Sequence, residues 1–121
     1  MNLTRVSLPL IIDQNAAFSK IMLARYIDKT PVNLSAYTAK MQFRESTKST
    51  VVILELNTSD GSIVLGADGS IVLFKGVTII KALAAPMDLI YDLLLIPNGN
   101  TQAVARLIQG TAFVDPGVTQ Q

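Results

Sequence analysis

The sequence predicts an all-β fold: a single antiparallel β-sandwich with one short helix or loop near residues 77–85. Three observations carry this. Apolar and polar residues alternate with period two, most cleanly where Tyr37, Ala39, Met41 and Phe43 face one way and Thr38, Lys40, Gln42 and Arg44 the other. Turn signals such as Asp-Gly and Pro-Asn-Gly punctuate the chain at short intervals. The 121 residues, 50% hydrophobic, suffice for one core but not two. No linker or composition shift divides the chain. The domain is expected over 11–118, with 1–10 an N-terminal arm or strand and 119–121 a loose tail.

Phe18 to Tyr26 reads as a strand whose alternation is less clean. Tyr37 to Arg44 follows, with one wet face, as in an antiparallel sheet. Val51 to Leu56 is apolar and β-branched at its start, which favours strand over helix at this length. Asp60-Gly61-Ser62-Ile63-Val64-Leu65 is then echoed by Asp68-Gly69-Ser70-Ile71-Val72-Leu73. Asp-Gly favours a turn, because glycine accepts positive φ and Asp tolerates it. The echo predicts a hairpin, with strands at 62–65 and 70–74 around a turn at 66–69. Val77, Ile80 and Leu83 sit at helical spacing, so Val77 to Ala85 is a short helix or a connecting loop, stopped by Pro86. Met87 to Ile96 reads as a strand and Pro97-Asn98-Gly99-Asn100 as a turn. Gln102 to Val114 reads as a long last strand, ended by Pro116 and Gly117.

Composition excludes several classes of function. Charged residues are 16% of the chain, against about 25% in an average soluble domain. Lys plus Arg is 10 and Asp plus Glu is 9, a net charge of +1. Such a chain has no strong field to gather nucleic acid or an anionic membrane. Cysteine and histidine are absent. That excludes disulfides, thiolate zinc sites, Ser-His-Asp and Cys-His nucleophilic centres and imidazole proton relays. The longest charge-free stretch, Leu93 to Ala105, contains Pro97, Asn98, Gly99 and Asn100 and falls short of the roughly 20 apolar residues of a membrane span. The opening MNLTRVSLPLII is a short apolar run holding Pro9 and stopped by Asp13. It reads as an arm or strand rather than a secretory signal.

The residues that could carry chemistry all have a plainer reading. Asp88 and Asp92 are an acidic pair at close spacing, and paired carboxylates can do acid–base or glycosidic work. Four apart on a strand, they share a face at a separation of about 13 Å. Glycosidase pairs need roughly 5–9.5 Å, so two solvated strand residues are expected. The Asp60-Gly61 and Asp68-Gly69 turns each offer one carboxylate toward the six to eight oxygens calcium takes, so hairpin turns are expected. Lys40, Arg44 and Lys48 form a basic stripe. A nucleic-acid groove would interleave exposed aromatics with it, but Tyr37 and Phe43 fall on the opposite face and read as core. No Gly-rich phosphate loop is present. Ser59, Ser62 and Ser70 lack a histidine partner, and nothing marks Lys75 or Lys81 as a reactive amine. No catalytic, cofactor-binding or metal-ligating residue is assigned. A weakly charged, apolar-rich β domain of this kind is expected to work by surface contact. Its edge strands offer unpaired backbone groups, and part of its hydrophobic excess is expected to be covered by neighbours in an assembly.

Several segments, in order along 11–118, resemble a small domain of tailed-bacteriophage virion proteins. This domain occurs in short stand-alone proteins and at the N-terminus of baseplate and receptor-binding proteins; the baseplate upper protein of lactococcal phages carries a similar one. Ile11-Ile12-Asp13-Gln14-Asn15-Ala16-Ala17-Phe18 resembles the family's "IDQGATF"-like opening, and Thr30 to Arg44 its "PVDLTGYTARMQVR"-like segment. Asp68 to Leu73 resembles its central hairpin, Ile90-Tyr91-Asp92-Leu93-Leu94-Leu95 its "YVYDLEL" and Arg106 to Val114 its "RLLQGTVTV". Within these strings, Leu34-Ser35-Ala36-Tyr37 reads as a tight approach to a strand with Tyr37 plugging the core, and Asp92 and Gln109 as a cap or a pair between strands. Departures are Asn15 and Ala36 where the family has glycine, and an apolar and basic stretch from Gly76 to Asp88 where it carries an acidic turn. That stretch and the first nine residues are candidate contacts to partners.

The resemblance implies an Ig-like β-sandwich serving as a structural part of the virion, in the tail, baseplate or fibre-adaptor region, assembled in the host cytoplasm. The expected partners are other virion proteins and copies of the chain itself. No enzyme activity, cofactor, nucleic acid or membrane span is expected. The alternatives are a capsid-decorating protein and a carbohydrate-binding module for host glycan, although the chain lacks Trp and has 6% aromatics to offer a sugar platform.

Overall fold

A computed structural model describes residues 6–118. The expected tail at 119–121 and the first five residues of the expected arm lie outside the described residues. The described chain forms strands β1 (Val6–Ser7), β2 (Leu10–Asp13), β3 (Phe18–Leu23), β4 (Tyr37–Arg44), β5 (Leu54–Asn57), β6 (Ile63–Leu65), β7 (Ser70–Lys75), β8 (Met87–Pro97) and β9 (Ala105–Asp115). A single helical turn, α1 (Val77–Ile80), joins β7 to β8. Two sheets pack on one core, so the fold is the expected small all-β sandwich. The larger sheet runs β1-β9-β8-β4-β5, with β2 also against β9, and the smaller runs β3-β7-β6.

Pairing is antiparallel throughout these sheets except at one edge, where β1 and β2 run parallel to β9. Val6 stands opposite Ile108 and Leu10 opposite Ala112. The register is therefore continuous from 6 to 13, and Pro9 interrupts one edge strand. An edge tolerates proline because its missing N–H can fall on the unpaired side. The Leu8 N–H still donates to the Gln109 carbonyl at 2.9 Å.

Strand ends fall where pairing partners run out. β3 stops at Leu23 rather than Tyr26, because residues 24–32 turn back on themselves: the Tyr26 N–H donates to the Thr30 carbonyl at 2.9 Å and Arg25 bridges Pro31. β5 begins at Leu54 rather than Val51, because its partner β4 ends at Arg44, opposite Ile90 of β8, and Leu54 already faces Phe43. β9 begins at Ala105 rather than Gln102, because Asn100 to Ala103 closes a turn of its own. The echoed hairpin forms nearly as expected, with Ile63 opposite Leu73 and Leu65 opposite Ile71.

The core lies between the sheets. Phe43 has no exposure and stacks on two neighbours, Phe18 edge-on at 6.4 Å and Tyr91 at 5.3 Å between ring centroids. Leu34 is fully buried and Tyr37 only partly, so Leu34 is the plug that the sequence suggested for Tyr37. The Tyr37 N–H donates to the Leu34 carbonyl at 3.1 Å, which makes the tight approach to β4.

Candidate interaction surface

The outer faces of the two sheets differ in charge: the larger presents Lys40, Arg44, Asp88, Asp92 and Arg106, the smaller no ionisable side chain. In the larger sheet, β4 and β8 alternate in burial; the outward residues of β4 are polar, Thr38, Lys40, Gln42 and Arg44, while those of β8 are Asp88 and Asp92 interleaved with the half-buried Ile90, Leu94 and Ile96. Register sets Glu55, Gln42, Asp92 and Gln109 in one row across four strands. These groups serve one another. Gln42 Nε2 donates to Glu55 Oε1 at 2.7 Å, Asn57 Nδ2 to Glu55 Oε2 at 2.9 Å and Arg44 Nη2 to Gln42 Oε1 at 2.8 Å. The bond from Gln42, then that from Asn57, holds the Glu55 carboxyl below its ordinary range. Arg106 Nε lies 3.2 Å from Asp92 Oδ2. A shallow concavity of about 580 Å³ opens over Gln42, Arg44, Asp92 and Arg106 together with the apolar Ile90 and Leu94.

Most of the residues singled out in the sequence are engaged structurally. Asp88 and Asp92 share the outer face of β8, but Asp92 is paired with Arg106 and Asp88 stands exposed. Asp92 does face Gln109 across β8 and β9. The Asp60 carboxylate accepts the Ser62 N–H at 2.8 Å as well as the Ser62 hydroxyl. Asp68 accepts the Ser70 N–H at 3.0 Å. Both carboxyls are held low, by their serine hydroxyls first and then by the backbone N–H. The turns are thus closed on themselves. Arg44 leaves the basic stripe to hold the Ser49 carbonyl at 2.9 Å, while Lys40 and Lys48 stay exposed. Lys75 Nζ reaches Asp60 at 3.4 Å and the Glu55 carbonyl at 3.2 Å. Among the described residues, no group of three His, Cys, Asp or Glu is placed to hold a metal ion, and no helix is long and apolar enough to cross a membrane.

The smaller sheet is different. Ile71 and Leu73 point into the core, so Ser70, Val72 and Phe74 point out. Register places Ile21 and Val64 directly opposite Val72, on either side of it. Phe74 lies opposite Ser19, and Leu23 opposite Ser70. The exposures are large: Ile21 67%, Leu23 55%, Val64 55% and Phe74 51%. Leu23 also lines a groove of about 400 Å³ with Leu8, Met22, Tyr26, Ile27 and Leu107. Among the described residues, this contiguous apolar face has no element of the chain packed on its outer side. Sequence reasoning expected uncovered hydrophobic excess but did not locate it. The sequence carries a failure of alternation in Ile21-Met22-Leu23 and Ile71-Val72-Leu73-Phe74, strands apolar on both sides, but Leu93 to Ile96 of the other sheet fails in the same way.

Against known proteins, the chain matches no family model and no curated protein.

Proposed function

We propose that this protein is a non-catalytic structural component of a tailed-bacteriophage virion, placed in the tail, baseplate or fibre-adaptor region, and that it works by binding neighbours. The observation that carries the contact role is the bare apolar face of Ile21, Leu23, Val64, Val72 and Phe74. An apolar patch of this kind on a small domain marks a surface meant to be covered. The engagement of the polar side chains of the larger sheet with one another supports a structural rather than a catalytic reading. The ordered segments along 11–118 support the phage assignment.

Mass spectrometry and antibody labelling of gradient-purified, salt-washed particles test the reading. The expected result is the chain present in many copies per particle, with label at the tail. Label spread over the head would make it a decorating protein instead. A chain left in the soluble lysate and missing from particles would end the virion reading.

A further inference from the structure

We propose that the outer face of the three-stranded sheet is a two-fold contact between two copies of this chain. The proposal rests on the multi-copy reading above and names both the surface and its partner.

Charge selects a second copy. The outward residues of β3, β6 and β7 are the five apolar side chains together with Ser19 and Ser70, and none can ionise. A two-fold contact sets residues near its axis against their own copies, so a charge there repels itself. This face is free of that penalty, whereas the other sheet presents Lys40, Arg44, Asp92 and Arg106. Lys20 and Lys75, opposite Leu73 and Phe18, belong to the inward-pointing set and stay off the contact. Lys20 also guards the free edge of β3, because an inward-pointing charge on an edge strand disfavours pairing with another strand. The contact is therefore face to face rather than edge to edge.

Area agrees. Ile21, Leu23, Val64 and Phe74 are each half exposed or more and Val72 is half-buried between them; together they present on the order of 400–500 Å². Two such faces laid together remove on the order of 800–1,000 Å² in all, at the lower edge of a specific contact. A contact of this size is expected to be weak when the chain is free.

Geometry supplies the test. Val72 is the centre of the face, with Ile21 and Val64 to its sides. A two-fold axis along the strands lays β3 over the copy's β6; an axis across them lays β3 over the copy's β3. In both, Val72 faces Val72 of the copy. Sedimentation equilibrium from about 1 to 100 µM reads the outcome. Wild type is expected at twice the chain mass at the upper end. Val72→Lys and Val72→Glu are each expected to weaken the dimer at least tenfold, and their equimolar mixture to restore it. Ile21→Lys repeats the test at a more exposed position should Val72 variants fail to fold by circular dichroism, and Thr38→Lys on the other sheet leaves the mass unchanged. Wild type staying at one chain mass throughout, or dimers persisting in Val72→Lys and Ile21→Lys, overturns the proposal. A monomer that is nevertheless found in washed particles sinks this contact and spares the structural role.

Discussion

At the scale of single residues, the N-terminal edge strand is held by a small group of atoms. Gly110 sits where a Cβ would overlap the Leu8 carbonyl, a backbone atom that cannot swing aside. The same carbonyl accepts the Tyr91 hydroxyl at 2.6 Å. Gly110→Ala is expected to cost about 1–3 kcal/mol through this overlap, read by urea denaturation. Tyr91→Phe is expected to cost about 1 kcal/mol, the usual worth of one hydrogen bond. Burial pushes the Tyr91 phenol up from 10.0 to about 12. The folded state therefore favours the neutral phenol. Its contribution is complete below pH 10 and is lost as the pH rises from 10 toward 12. In an ultraviolet titration, one of the three tyrosines should ionise near that value, and Tyr91→Phe should remove this step and flatten the alkaline loss of stability. None of this was legible beforehand. The sequence showed a tyrosine and a glycine in strands, but the atom they converge on is 83 positions away from Tyr91.

Elements were legible where pairing is local. Period two in Tyr37–Arg44 located β4 to the residue, and the Asp-Gly echo located β6 and β7 within a residue at each end. Each turn carboxylate bonds the N–H two positions on, which is a local preference of Asp. Because Asp60 and Asp68 are held below their ordinary value of 3.8, the stability they contribute is present above that pH and is lost as the pH falls further. Asp60→Asn should remove part of the acid-side slope in a pH series of thermal melts. Less legible was the partner of the first strand. A short run such as Leu10–Asp13, three apolar residues and an Asp, shows no alternation although its burial alternates, and nothing local says that it lies parallel to the last strand of the chain. The pairing makes a sharp prediction. Ile12 is fully buried and Ile11 is 64% exposed on the opposite side. Ile12→Ala should cost about 2–5 kcal/mol in urea denaturation. Ile11→Ala should stay within about 0.5 kcal/mol.

For the whole molecule, the asymmetry of the surface lies between the sheets. One outer face sets a network of charged and amide side chains among Ile90, Leu94 and Ile96; the other has no ionisable side chain and is apolar and bare. Hydropathy alone could not separate them. An unbroken apolar run such as Ile71 to Phe74 looks the same whether its second side is covered by its own chain or by a neighbour's. The distinction depends on topology: α1 and the loop to Met87 lead from β7 to the larger sheet without an element crossing the outer side of the smaller one. The proposed contact role thus turns on which face becomes covered. The chain has no cysteine, so a single introduced thiol is a unique reporter. Ser19→Cys stands beside Phe74 on the bare face, and Thr38→Cys stands on the polar one. Maleimide labelling of each, free at low concentration and within purified particles, measures the covering directly. The account predicts that Ser19→Cys reacts when free and is protected in particles, while Thr38→Cys reacts in both; equal reactivity of Ser19→Cys in the two states would contradict it.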